Sequence, residues 1–570
     1  MDLEKIANKV VDTDLLVIGG GTGGCPLAGK AAERGLRVTI VEKSKTDRSG
    51  NVGHGVDSYG VFPHGISVTE LIRMWMDRMS HSMQGKGRWV NLNLDYVLFD
   101  KGFWALEELE RMGIPMKWDD GQYYWTPHMI HQDGLKLGLR VHWHNVKPIM
   151  AKMCRDRGVN ILDRVMVVDL LTNEGRVVGA TAVNTRTGEF IVIKAKAIAM
   201  ASGMFCRLFE PETPSPWRYK MRYHYCPATT SGDGWAAAYR AGAGVAHMDD
   251  ASWAVRIRDD MTCSFGNFVN NDGIFGRVYN WKGESVSHDE QSYRGYAQAE
   301  MKGNTPFYQS LEHMPDDFQK RLELNYLDEW FFALKMAQDR GFNPRTHRWE
   351  FMSNKLLQFM MVQGIWVTED FKSPYLQGLY AIGDCAAGVG GAHGACISGL
   401  VVGDTVDRYI SEAGEPVIDE AQVESQKQIA LAPLSAKDGT EPMELECAIR
   451  NICERYAGVF KSEGTLQEGL RRFNSLKREF LPELMAKNPH YLMRCLEVRN
   501  IMDLAELYLK GSLDRKESRK GFIRTDYPEV DESRTNMCRV DRMENGKHLH
   551  EFIEVPELKP EYLKEKQKCM

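Results

Sequence analysis

A chain of 570 residues is too long for one compact core, and about two to four domains are expected. With 43% apolar and 26% charged residues the composition is that of a globular protein, and a formal charge of −6 gives no reason to expect nucleic acid. No stretch approaches the roughly 18 uninterrupted apolar residues of a membrane span.

The chain opens with MDLEKIANKVVDTD, which lacks the basic-then-apolar pattern of a secretory signal, so the expected location is the cytoplasm. The apolar run DLLVI (14–18) reads as a buried strand, GGGTGG (19–24) as a turn, and CPLAGKAAERG as a helix. LRVTIVE (36–42) is a second strand closing in Glu42. This is a βαβ unit with G-x-G-x-x-G at Gly19, Gly21 and Gly24, the arrangement that seats a dinucleotide pyrophosphate on a helix N-terminus. Glu42 is placed to accept from ribose hydroxyls, and a carboxylate there disfavours the 2′-phosphate of NADP.

For NAD, further alternating strands and helices should follow at once. Instead the polar stretch KSKTDRSGNVGHGVDSYGVF (43–62) leads into long helical segments. A β-meander then returns to the sheet over 162–203. GLYAIGD (378–384) is another short strand, followed by a glycine-rich run to Leu400, read as a flavin-facing loop. Two glycine-rich segments at opposite ends of one sheet suit FAD better than NAD, with Asp384 on the ribityl chain. Residues 232–362 interrupt the pattern as an inserted capping domain, and from about 417 apolar positions recur at helical spacing. The fold class is therefore α/β: a Rossmann-like FAD-binding domain (1–231 and 363–416), an inserted α+β cap (232–362) and a C-terminal helical domain (417–570).

The twelve cysteines are scattered without a C-x-x-C or a ferredoxin-like run, so no iron–sulfur cluster or structural zinc is expected in this chain. His128, His131, His142 and His144 fall in one segment, and His142 and His144 alternate like neighbours on a strand. No carboxylate or cysteine completes a metal set there, and the expectation is no metal site.

GGGTGG, RSGNVGHG, TTSGDGWAAAYRAGA (229–243), AIGDCAAG and RKESRKGFIRTDYPE (515–529) occur in the order found in the flavoprotein subunits of the succinate dehydrogenase/fumarate reductase superfamily, which the chain resembles over nearly its whole length. RSG (48–50), VKPIMAK (146–152), TGEFIVIKAKAIAMASG (187–203) and YCP (225–227), followed by AGAGVAHMDDASWAVRIRDD, resemble the α subunit of adenylylsulfate reductase. The resemblance implies a cofactor-binding set of Gly19, Gly21, Thr22, Gly23, Gly24, Glu42, Lys43, Ser49, Gly50, Asn51, Ala201, Ser202, Gly203, Asp233, Gly383, Asp384, Gly399 and Leu400.

Several departures bear on the chemistry. The family histidine that bonds FAD covalently falls at Gly50, which implies non-covalent FAD. The His-Pro-Thr dicarboxylate segment has no match after Gly244. The proton-delivering arginine falls on Ser285, a substrate histidine near Phe359, and the carboxylate-clamping arginine on Ile397. A dicarboxylate would then lose water with no bidentate partner in return, so fumarate reduction and succinate oxidation are not expected.

Against the adenylylsulfate reductase pattern, His393 and Arg258 match, with Arg256 a near alternative. His224 stands where that enzyme has tryptophan, and Gly394 where it has lysine. The catalytic candidates are His393, Arg258 and His224. The expected activity is FAD-dependent oxidoreduction of a small anionic substrate at flavin N5, in an oligomer with electrons exchanged through a separate iron–sulfur subunit or ferredoxin. Two alternatives remain. One is an enoate (C=C) reductase or dehydrogenase with Tyr279, His288 or Tyr293 as proton donor. The other is an electron-transfer or scaffold flavoprotein without a substrate site.

Overall fold

The computed structural model describes residues 3–53, 55–56, 58–60, 66–74, 89–125, 136, 138–209, 227–253, 256–257, 277–286, 293–316, 319–320, 335, 338–343, 345–352, 356–359, 362–519 and 521–563. The order β1 (Lys9–Ile18), α1 (Gly24–Glu33), β2 (Val38–Glu42) realises the expected βαβ unit. Leu15, Leu16 and Val17 are wholly buried because β1 is central, with parallel neighbours on both edges: Leu15 is in register with Val38 and with Ala197.

The meander follows as β3 (Asn160–Asp163), β4 (Val165–Asn173), β5 (Arg176–Asn184) and β6 (Phe190–Met200). β3 adds parallel to β2, whereas β5 runs antiparallel to both β4 and β6. The sheet order is β3-β2-β1-β6-β5-β4. After a long excursion the chain returns through α2 (Asp233–Arg240) and β7 (Leu379–Ala381), which pairs parallel with the last residues of β6. The carboxyl ends of β1, β2, β6 and β7 thus converge, although Ile18 and Ala381 lie far apart in the chain.

The glycine-rich run after β7 is not a loop to Leu400. It makes a 3-10 turn at Gly383–Cys385, and at Gly391 enters α3, a 22-residue helix ending at Glu412. Buried apolar residues from Ala395 to Val406 supply a helical face, and α3 packs along α1. A Cβ on Gly399 would overlap the Gly23 carbonyl oxygen, and one on Gly403 would lie 2.7 Å from the Leu27 oxygen. These glycines let two helix backbones touch.

Within the segment expected to cap the flavin, strands Arg277–Asn280, Phe307–Ser310, Trp349–Met352 and Arg256–Ile257 form an antiparallel sheet. Helix α2 falls in that segment too, yet packs on β4 of the main sheet. The C-terminal region holds α4 (Glu420–Ser435), α5 (Pro442–Ala457), α6 (Glu463–Phe480) and α7 (Pro489–Asp514). It is not purely helical. A hairpin, β8 (Met537–Glu544) and β9 (Lys547–Glu554), pairs with Val245–Ala246, and that short strand pairs with Gly364–Ile365. His142 and His144 do not sit on a strand: Trp143–Asn145 is a 3-10 turn, and the His142 ring packs on Trp118 at 3.7 Å.

Candidate active site

The convergent strand ends form an open cleft. Of the expected cofactor set, Gly19, Gly21, Thr22, Gly23, Glu42, Lys43, Gly50, Asn51, Ala201, Ser202, Gly203, Asp233, Gly383 and Asp384 line it. Gly24, Ser49, Gly399 and Leu400 do not. Gly24 sits in the first turn of α1, where a Cβ would overlap the Gly19 carbonyl oxygen, and Gly399 and Leu400 belong to the buried face of α3. Ser49 lies behind the glycine loop.

That loop is held from behind through one residue. The Gly20 N–H donates to Glu42 Oε2 at 2.9 Å, and its carbonyl oxygen accepts from Ser49 Oγ at 3.1 Å, from Cys25 Sγ at 3.2 Å and from Lys147 Nζ. Glu42 Oε1 takes the Ser44 N–H at 2.7 Å. Both Glu42 oxygens are therefore engaged by backbone before any ribose arrives, and the carboxylate sets the loop as well as facing the cleft. Lys147 carries no sequence signal of a site residue. It enters from an intervening helix and is almost fully buried.

Two features test whether the cleft suits the long dinucleotide that the motifs imply. A Cβ on Gly21 would meet nothing within 4 Å, so this face of the loop is an open cradle that a side chain would fill. Asn51 Oδ1 and Asp384 Oδ1 are buried in the cleft wall without a hydrogen-bond partner among the described residues. Orphaned buried acceptors are costly and call for donors supplied by a ligand. Hydroxyls along a ribityl chain meet that need. Burial pushes the Asp384 carboxyl up to about 7, although it accepts the Gly391 N–H. The residues fit FAD.

Lys43, at the cleft wall, donates from Nζ to Ser231 Oγ at 2.7 Å, Asp233 Oδ2 at 2.6 Å and Glu497 Oε1 at 2.7 Å. Burial alone would lower its pKa, but Asp233 and Glu497 hold it above the usual lysine range. Glu497 Oε2 in turn accepts from Arg207 at 2.6 Å and Arg494 at 3.1 Å. Glu446 accepts from Arg207 at 2.6 Å, from Arg494 at 2.8 Å and from Arg450. This buried network joins the cleft to α5 and α7. Its members are scattered from 43 to 497, and no local pattern announces them.

His393 lies in the first turn of α3, not in a loop. It is not among the cleft-lining residues, though Ala395 on the next turn is. Its ring stands edge-on to Tyr59 at 6.2 Å, and a Cβ on Gly60 would lie 2.5 Å from its Nδ1. Burial pushes its pKa down to about 4, so at neutral pH it is an uncharged imidazole. Arg258, His224 and His288 lie outside the described residues. The Tyr279 ring, on a cap strand, is covered by the Arg348 guanidinium at 5.1 Å. Arg524 pairs with Asp526 at 2.9 Å, and Arg519 pairs with Glu517 at 3.1 Å.

The FAD binding domain family matches residues 14–400, and the fumarate reductase flavoprotein C-terminal family matches residues 447–559. The chain belongs to the FAD-dependent flavoproteins of the succinate dehydrogenase/fumarate reductase superfamily. It is an FAD-dependent oxidoreductase. One subunit of the fumarate reductase (CoM/CoB) of Methanothermobacter marburgensis is 23% identical over 92% of this chain and 96% of that relative. The structure of adenylylsulfate reductase from Archaeoglobus fulgidus has a TM-score of 0.81 at 24% identity, covering 97% of this chain and 96% of that one. A structure of adenosine-5-phosphosulfate reductase in complex with sulfite, as a covalent adduct, gives the same values. Quinol fumarate reductase from E. coli follows at 0.76 and 17%, covering 97% of this chain and 98% of that one. These likenesses establish the fold. Among the described residues no helix is long and apolar enough to cross a membrane.

Proposed function

We propose that this chain is the flavoprotein subunit of an oxidoreductase for a small anionic substrate that is not a C4 dicarboxylate, with electrons exchanged through a separate iron–sulfur partner in the cytoplasm. The supporting observation is the packing at two positions where the resemblance puts dicarboxylate-binding groups. Phe359 is fully buried in an aromatic cluster with Phe205 at 5.4 Å, Phe209 at 5.9 Å and Tyr508 at 5.4 Å. Ile397 is fully buried in α3. Neither position offers a charge or a proton to a carboxylate.

Bound FAD supplies the two-electron chemistry. The glycine loop and the N-terminus of α1 receive the pyrophosphate, and Asn51 and Asp384 accept hydrogen bonds from the ribityl chain. Gly50 supports non-covalent binding, because its φ of 75° is one that a residue with a Cβ, such as the family's histidine, rarely adopts. His393, uncharged at neutral pH, moves a proton rather than holding an anion by charge. Arg258 and His224 are assigned to the anion itself.

Anaerobic titration tests this reading. The visible flavin absorbance of the oxidised protein should bleach on adding sulfite and change further on adding AMP. A silent response to sulfite, with reoxidation of the photoreduced protein by an enoate or enoyl thioester, would replace it by carbon–carbon double-bond reduction. The nearly full-length likeness to a fumarate reductase favours that second reading.

A further inference from the structure

The C-terminal hairpin places two imidazoles and a carboxylate on one face, remote in chain position from every cleft residue. Asp541 on β8 lies directly opposite His550 on β9, and His548 is two residues along β9 on the same side. One ligand atom from each lies within 4.8 Å of the others. His548 Nε2 is 2.9 Å from Asp541 Oδ1, and His550 Nε2 is 3.9 Å from Oδ2 of Asp514, the last residue of α7. We propose that Asp541, His548 and His550, closed by Asp514, form a binding site for a divalent cation of the zinc class.

Three physical points support the assignment. The donor set is two imidazole nitrogens and two carboxylates, the mixed nitrogen–oxygen chemistry that suits zinc and its borderline neighbours better than calcium or magnesium. Second, both carboxylates are already oriented from behind by one buried guanidinium. Arg539 reaches Asp541 through Nη2 at 2.8 Å and Asp514 through Nη1 at 2.7 Å. Outer hydrogen bonds of this kind commonly fix ligating carboxylates. Third, the His550 ring makes no hydrogen bond among the described residues and lies 3.9 Å from the Asp514 carboxylate, a separation that an ion between them would bridge.

A tetrahedral zinc with ligands about 2.0–2.2 Å away brings ligand atoms to roughly 3.4 Å of one another. Since the His550 side chain is 40% exposed and Asp541 fully buried, the closing movement falls on the histidine at the mouth. The bound ion would tie the end of α7 to the hairpin, and so to Val245–Ala246, which β8 pairs with. It takes no part in flavin chemistry.

The test uses the flavin-loaded full chain, freed of any affinity tag and of metal by chelator and desalting, titrated with Zn²⁺ by calorimetry. One equivalent should bind and raise the unfolding midpoint. His548→Gln and His550→Gln should each weaken that event by about tenfold or more, with FAD content unchanged. Substituting the remote His490 should leave the titration as in the parent. Histidines are replaced rather than Asp541, because losing the buried partner of Arg539 threatens folding. Absence of a stoichiometric event, or one that survives both hairpin substitutions, would overturn the site.

Discussion

At the scale of single residues, Asp384 and His393 carry opposite pH signatures. The Asp384 carboxyl is raised to about 7, above the roughly 3.9 of an unfolded aspartate. Its contribution to stability is thus fully present below pH ~4 and is lost as pH rises through 7. The His393 imidazole is lowered to about 4 from about 6.5. Its contribution is present above pH ~6.5 and is lost as pH falls toward 4. In flavin-stripped protein, Asp384→Asn should therefore flatten the fall in unfolding midpoint toward neutral pH. His393→Gln should flatten the fall toward acid. If His393 also moves a proton in turnover, His393→Gln lowers kcat by about a hundredfold while the flavin spectrum stays as in the parent. An unchanged kcat would make His393 a packing residue against Tyr59 and Gly60.

At the scale of elements, two glycines separate cofactor binding from helix packing. Gly21 faces open space, whereas Gly399 touches the Gly23 backbone. Gly21→Ala should leave the unfolding midpoint of the flavin-free protein unchanged yet lower its retention of FAD. Gly399→Ala should destabilise the flavin-free protein by about 1–3 kcal/mol, because neither helix backbone can yield without separating α1 from α3. Equal losses in both assays for both variants would mean that the loop and the helix seam are one unit. This pair also shows what the sequence can carry. The βαβ unit, the meander and the short strand before Asp384 are legible because apolar runs and turn residues are local signals. The second glycine run reads as a loop to Leu400 and is a helix from Gly391 onward, since glycine spacing alone does not distinguish backbone approaching a ligand from backbone approaching another helix. Ser49 and Lys147 are not legible as supports for the Gly20 peptide, because that role depends on which segments meet in three dimensions.

At the scale of the whole molecule, the buried ions around Glu497 link the cofactor cleft to the helical region. Burial alone would raise the Glu497 pKa, but Arg207, Lys43 and Arg494 hold the carboxylate far below the usual range. A carboxyl with a depressed folded pKa contributes stability above its unfolded value of about 4.3, and loses it as pH falls further. The same holds for Glu446, which burial alone would raise and which Arg207 and Arg450 keep low. Acid should therefore loosen the cleft and helices α5 and α7 together. Glu497→Gln keeps the shape of the side chain but leaves Lys43 and Arg207 each short of one buried counter-charge. The expected cost is about 3–5 kcal/mol at neutral pH, with the acid limb of the stability profile flattened. It should also lower FAD retention, because Lys43 lines the cleft and Glu497 fixes its ammonium group. Calorimetric unfolding from neutral pH into acid, with flavin fluorescence followed in the same samples, reads both effects. A variant that loses stability while holding FAD as the parent does would show that the network fastens the helices without shaping the cleft.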